Sequence, residues 1–324
     1  MRAMLLAAGL GTRLRPLTFV RPKILTPIAG VPVLDYWLAQ FHAAGFEAVI
    51  VNAFHLSDEL TAKILGRTWP IPVCVKVEPV LLGTGGGIRN VLDFFDDGQP
   101  IVVVNGDIFC KVDWAEILDE YSRSGAPACL IVHDCPPFNN VAVDGNGMIL
   151  GFGEDAYAMK RTRENVRLLA FTGIHVMDPR ILAGLVPGEP ADILALYRKL
   201  IRNGNPPRML KPSGLFWREM GSIESYRALH AEIPRLAEGF LPPLTTGRSI
   251  WVHGDANVAP DAELKGYVSC GAGTIIPGGV ELEDVILWDD VCVEPGSRLS
   301  GCIVGDGVTV KGDHRNEVIV NHGK

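Results

Sequence analysis

The order of apolar and polar positions divides the chain in two. Up to about residue 240, short apolar runs rich in β-branched residues alternate with longer stretches of helical period. The runs Ala3–Ala7, Ala48–Asn52, Val73–Val77, Ile101–Val104, Ala128–His133 and Leu168–Val176 read as strands. Between the first of them, helical spacing covers Leu34–Ala44 and Leu56–Leu65, and a glycine-led helix is expected from Gly86 to Phe95. Strands alternating with helices predict an α/β fold, a Rossmann-like, mostly parallel mixed sheet with helices on both faces. Such folds serve nucleotides often, but a fold alone assigns no function.

After a proline-containing linker at Ala237–Arg248 the pattern changes. An aliphatic or small apolar residue recurs every six positions, at Val252, Val258, Leu264, Cys270, Ile276 and Leu282. Val293 and Leu299 follow, and Val304 and Val310 fall one residue out of step with them. A six-residue period with glycine-rich turns makes three short faces per coil, so a left-handed parallel β-helix of about three coils is expected. The slip predicts a loop or distorted corner near Ile286–Val291. The expected domains are therefore a catalytic one over 1–240 and a repeat one over 249–324.

Composition narrows the partners. With 48% hydrophobic and 21% charged residues the chain has an ordinary globular balance and enough apolar material for a core. A net charge of −7 without runs of like charge argues against a nucleic-acid surface, so any phosphate site must be local. The apolar run at the N-terminus stops at Gly9, too short for a signal peptide core or a membrane span, and no membrane partner is expected. Seven cysteines, an odd number without metal-ligand spacing, fit a reducing, cytoplasmic compartment.

The first strand runs into Leu6-Ala7-Ala8-Gly9-Leu10-Gly11-Thr12-Arg13. A glycine-rich loop at the carboxyl end of a strand lets backbone N–H groups come close to phosphates. Leu6, Ala8, Gly9, Gly11 and Thr12 are thus candidate nucleotide contacts, although the same loop serves equally as a plain turn. The continuation is more specific: Arg13-Leu14-Arg15-Pro16-Leu17-Thr18, then Arg21-Pro22-Lys23-Ile24-Leu25-Thr26-Pro27-Ile28-Ala29-Gly30-Val31-Pro32. From Met4 to Leu34 the chain closely resembles the opening block of the sugar nucleotidyltransferases, or nucleotide-sugar pyrophosphorylases. The resemblance extends over about residues 1–235. It implies transfer of a nucleotidyl group from a nucleoside triphosphate to a sugar 1-phosphate, with release of pyrophosphate. It also implies that Arg13 grips the departing pyrophosphate and Lys23 holds the phosphates of the reacting pair. Cations fixed in advance where negative charge develops suit that chemistry. Arg15 and Arg21 read as solvated side chains or secondary phosphate contacts.

Further positions follow from the same resemblance. Glu78, Gly83 and Thr84 lie in a block, Glu78 to Ile88, that resembles the family's base and ribose pocket. Asp107 ends a buried strand at the sheet edge where α/β folds bind ligands, and resembles the family's Mg²⁺ ligand. In Trp217-Arg218-Glu219-Met220-Gly221-Ser222, Glu219 stands where relatives carry a second, aspartate ligand, and its extra methylene leaves direct or water-mediated coordination open. Asn140, Glu154 and Gly173 occupy positions that resemble the sugar pocket, and for Asn139 and Asn140 a turn role is the alternative. The lysine that many relatives carry near Glu154 is absent. A phosphate oxygen is already anionic, so no general base is required. The histidines at 42, 55, 133, 175, 230, 253, 314 and 322 are therefore read as structural or solvated. Competing readings are a cytidylyltransferase for a phosphorylated alcohol and a silent scaffold subunit. The repeats are expected to serve homo-oligomerisation or packing against the catalytic domain rather than acyl transfer.

Overall fold

The structure, a computed structural model, describes residues 1–96 and 98–321, and His322 lies outside them. The chain condenses into two compact units, one of Met1–Gly9 with Phe41–Trp217, the other of Leu10–Gln40 with Arg218 onward. Composition places a boundary near residue 240, whereas packing groups Leu10–Gln40, which carries Arg13 and Lys23, in the same unit as the repeats.

The first unit is built on a mixed sheet. Its strands are β1 (Arg2–Leu6), β2 (Ala48–Ala53), β3 (Val73–Val77), β4 (Ile101–Asn105), β5 (Ala128–His133), β6 (Val141–Val143), β7 (Ile149–Phe152), β8 (Arg167–Met177) and β9 (Arg208–Leu210). The main path runs β7-β6-β8-β4-β1-β2-β3, with β5 on β8 and β9 on β5. Strands β4, β1, β2 and β3 are parallel, β8 is antiparallel to β4, and β6 and β7 continue antiparallel. In β4, Ile101 and Val103 enter a core shared with Met4, Ile88 and Tyr197, and the alternate residues Val102 and Val104 are also 0% exposed. Both faces of this strand are covered, which is why its sequence carries no polar alternation.

The helices are α1 (Val33–Ala43), α2 (Ser57–Leu65), α3 (Gly83–Asn90), α4 (Trp114–Ser124), α5 (Glu154–Thr162), α6 (Ile193–Arg202) and α7 (Ile223–Glu232). Helix α3 starts three residues before the expected Gly86 and gives way at Val91 to a separate 3₁₀ turn, Leu92–Phe95. Its glycines have a packing explanation. The Gly86 N–H donates to Ala191 O at 3.1 Å and the Ala191 N–H to Leu82 O at 2.9 Å, drawing the 189–193 segment onto the helix. A Cβ on Gly86 would meet Glu189 O at 2.5 Å, and one on Gly85 would meet Ala191 O and Ile193 N at 3.0 Å. No flat base is needed to account for these two residues.

In the second unit, 3₁₀ turns at Thr12–Leu14, Leu17–Phe19 and Lys23–Leu25 bury Leu14, Leu17, Ile24 and Leu25. Gly11, at φ +58°, bends against buried Thr18, whose hydroxyl donates to Gly11 O at 2.9 Å; a Cβ there would lie 2.7 Å from Thr18 Cγ2. The leucines and threonine that follow the arginine in the motif thus fold the loop on itself. Helix α7 is capped by Ser222, which accepts the Ser225 N–H at 3.1 Å. From α7, Tyr226 donates its hydroxyl proton to Pro27 O, and buried His230 accepts the Ala29 N–H at 3.2 Å on Nε2 while Nδ1 faces Tyr226 O at 3.0 Å.

Residues 250–319 form stacked parallel strands. Val252, Cys270, Leu287, Val304 and Ile319 align on one face. Val258, Ile276, Val293 and Val310 align on a second, and Leu264, Leu282, Leu299 and His314 on a third. This stacking is consistent with a β-helix, and among the described residues it passes the expected three coils, completing a fourth and beginning a fifth. The register step is 18 residues from Leu264 to Leu282 and 17 from Val268 to Val285, so one residue is lost at the corner holding Asp284, at φ 54°. The slip therefore precedes the expected segment at 286–291, whose Ile286 and Leu287 pair in register. Aspartates support these corners: Asp284 accepts the Tyr267 N–H at 3.1 Å, Asp289 the Ala272 N–H at 3.0 Å, and Asp306 the Asp289 N–H at 3.0 Å. Arg21 departs from the solvated reading. Its side chain is 14% exposed and paired with Asp289 and Asp306.

Two outcomes follow. Gly86→Ala forces a methyl group into backbone, an overpacking of about 1–3 kcal/mol that lowers the urea midpoint; an unchanged midpoint would contradict the packing explanation. Burial holds His230 neutral and lowers its pKa from 6.5 to about 4. The unfolded chain therefore takes up this proton first, and stability falls as pH drops from 6.5 towards 4, by about 3 kcal/mol, and is retained above 6.5. Comparing unfolding free energies at pH 7 and 4.5 for wild type and His230→Gln checks this, because the variant must show the shallower decline.

Candidate active site

The carboxyl ends of β1, β2 and β4 lie side by side, because Leu6 pairs with Asn52 on one flank and with Asn105 on the other. The Gly106 N–H donates to Leu6 O at 2.8 Å, which sets half-buried Asp107 beside the start of the glycine loop. Asn52, 3% exposed, ties the rim together: its Oδ1 accepts the Ala7 N–H at 2.7 Å and its Nδ2 donates to Glu78 Oε1 at 2.7 Å. Glu78 Oε2 accepts the Leu82 N–H at 3.0 Å, so both its oxygens hold the loop that leads into α3. Gly87 completes the arrangement, since a Cβ there would sit 2.8 Å from Glu78 Oε1.

Sequence reasoning placed Glu78 on the nucleotide and passed over Asn52. The available signal was a polar residue inside an otherwise apolar strand, Val-Ile-Val-Asn-Ala, where a buried amide must find partners for both ends. Ala8 is buried, and Gly9 is exposed. A Cβ on Gly9 would have nothing within 4 Å, so packing gives no reason for glycine there. Gly83, at φ +67°, and half-buried Thr84 open α3.

Around β6 and β7, the Gly153 N–H donates to Asn140 O at 2.7 Å, which brings exposed Asn140 next to the first turn of α5 and exposed Glu154. Asn139 is a turn residue, its side chain accepting the Cys135 N–H at 2.9 Å and donating to Asp134 at 2.8 Å. Gly173, at φ +86°, is buried with Asn105 against it; a Cβ would lie 2.6 Å from Asn105 Nδ2. Its neighbour Thr172 donates its hydroxyl proton to Ile131 O at 2.7 Å and accepts the Trp217 indole N–H on its carbonyl at 2.9 Å.

In the second unit, exposed Thr12 and Arg13 lie on the 3₁₀ turn after Gly11, and half-buried Lys23 opens the turn after Pro22. Arg13 Nη2 donates to Glu219 Oε1 at 2.8 Å, with the arginine 63% and the glutamate 14% exposed. The longer side chain at 219 thus reaches the cation that the sequence assigned to pyrophosphate. Gly221 leaves room for this pair, since a Cβ on it would lie 1.8 Å from Glu219 Oε1 and 2.6 Å from Arg13 Nη2. The arginine end of the pair is open to solvent, while the carboxylate end is largely enclosed.

Residues 2–235 match the family described as nucleotidyl transferase. A mannose-1-phosphate guanylyltransferase of Mycobacterium tuberculosis is 29% identical over 93% of this chain and 82% of its own length. A UTP–glucose-1-phosphate uridylyltransferase of Synechocystis is 28% identical over 87% of this chain and 76% of its own. An N-acetylmuramate α-1-phosphate uridylyltransferase of Neisseria meningitidis is 30% identical over 69% of this chain and 94% of its own. With a family match over residues 2–235 and a relative 30% identical over 69% of this chain, the chain belongs to the sugar-1-phosphate nucleotidyltransferase branch of the nucleotidyl transferases.

Proposed function

We propose that this chain couples a nucleoside triphosphate to a hexose-type sugar 1-phosphate, with guanosine and uridine triphosphates as the first donors to test. The observation that carries the reading is Asp107 held beside the open Gly9 loop through the Gly106 N–H to Leu6 O bond. The two full-length relatives act, by name, on mannose 1-phosphate and glucose 1-phosphate, and they favour those acceptors over N-acetylmuramate 1-phosphate.

A sugar phosphate oxygen attacks the α-phosphorus in line, a new P–O bond forms, and the bond to the bridging oxygen of the β-phosphate breaks. The electron pair leaves with pyrophosphate. Arg13 exchanges Glu219 for the departing phosphates and neutralises charge as it develops, while Lys23 holds the phosphates in register. The Ala7–Gly9 backbone, fixed by Asn52, receives the triphosphate without needing to reorganise. Asp107 is a hard oxygen donor of the kind that suits Mg²⁺, and Glu219 is the second carboxylate that would hold it. When bound, Mg²⁺ draws charge off the phosphate oxygens. The nucleophile enters as an anion, so neutral His175, whose pKa burial lowers to about 3, has no proton to handle here.

Pyrophosphate release is the test, with Mg²⁺, each of GTP, UTP, ATP and CTP, and a panel of mannose, glucose and N-acetylmuramate 1-phosphates. Arg13→Ala and Asp107→Asn should each lose about 10²–10³ in kcat. Gly9→Ala should unfold like wild type yet bind the triphosphate less well. Wild-type turnover by Arg13→Ala, or silence across the whole panel, would sink the reading.

A further inference from the structure

The Arg21–Pro27 segment is gripped at both ends by the repeat coils. At its start, the Arg21 guanidinium donates to Asp306 from Nε at 2.9 Å and again from Nη2, and from Nη2 to Asp289 Oδ2 at 2.9 Å. Its Cζ lies over the Trp288 ring, 5.0 Å from the ring centre. At its end, the Trp288 indole N–H donates to the Tyr226 hydroxyl at 3.2 Å, and that hydroxyl donates to Pro27 O. Trp288 is therefore beneath one end of the segment and one hydrogen bond removed from the other. It is 0% exposed, and Asp289 and Asp306 come from successive coils, locked together by the Asp289 N–H to Asp306 bond. Burial works against the charge on Arg21, but the two carboxylates outweigh it and raise the arginine's pKa.

Only Pro22 separates Arg21 from Lys23. Pro22 is buried with φ −55°, its carbonyl accepts the Leu25 N–H at 2.8 Å, and Ile24 and Leu25 are buried. Little backbone freedom remains between the pinned guanidinium and the Lys23 Cα. A forked, planar cation held by two carboxylates fixes position in a way a lysine does not.

We infer that Arg21 is a positioning residue, and that the repeat coils, through Trp288, Asp289 and Asp306, set where Lys23 meets phosphate. The tail is then part of the catalytic apparatus rather than a separable module for assembly. This rests on the reading that Lys23 holds substrate phosphates.

Steady-state kinetics on the full chain test it, using GTP with mannose 1-phosphate or UTP with glucose 1-phosphate, whichever turns over, with thermal unfolding of each variant alongside. Arg21→Ala and Asp306→Asn should lower kcat/KM for the triphosphate about 10–100-fold. Arg21→Lys should recover only part of the loss. Lys23→Ala should lose at least as much, and Arg21→Ala combined with Lys23→Ala should be no worse than Lys23→Ala alone, because the arginine acts through the lysine. Should Arg21→Ala fail to fold, Asp306→Asn and Trp288→Phe enter the same cycle. A folded Arg21→Ala with unchanged kcat and KM overturns the clamp, as does a double variant that loses the product of the two single effects. Wild-type behaviour of Lys23→Ala removes the reading on which the clamp rests, and is distinguished by that single variant.

Discussion

The glycine loop after β1 depends on one buried amide for its place at the sheet edge. Asn52 links the Ala7 N–H on one side to Glu78 on the other, and Glu78 in turn holds the Leu82 N–H. Three strand ends and the start of α3 are thereby referred to a single side chain. Removing one partner would leave a buried polar group unsatisfied, at about 1–3 kcal/mol. The same chain explains why Gly87 has no side chain, since the carboxylate and amide occupy that space. Gly9 at the top of β1 stays open on this support.

The second unit holds the arginines of the opening motif in two different ways. Arg13 rests on Glu219 and Arg21 is spent on two aspartates, so neighbouring arginines of one motif have separate fates. What separates them is exposure. Arg13 is 63% exposed and pairs with one carboxylate, whereas the 14% exposed Arg21 is held over an indole ring by two. The first suits a group that must change partners, the second a fixed support.

Glutamate in place of aspartate at 219 belongs to the same economy of reach. One more methylene brings the carboxylate to the Arg13 guanidinium, and the missing side chain of Gly221 is what lets the pair form.

Much of this was legible in the sequence. Periodicity located six strands of the sheet to within a residue, because buried strands admit little but branched apolar side chains, and the six-residue spacing announced stacked coils; the short strands Val141–Val143, Ile149–Phe152 and Arg208–Leu210 went unread. The motif residues named the chemistry, since few sequences place Gly-x-Gly-Thr-Arg and Pro-Lys in such close order. Tertiary structure decided what each polar group spends its hydrogen bonds on. That Asn52 and Glu78 serve one another, that Gly85 and Gly86 answer to residues 189–193, and that Arg21 finds Asp289 and Asp306 are outcomes of long-range approach. Local patterning records whether a position is buried, because burial repeats with the period of the element. The partner of a buried charge is set by which distant segments the packing brings within about 3 Å, and no period carries that information.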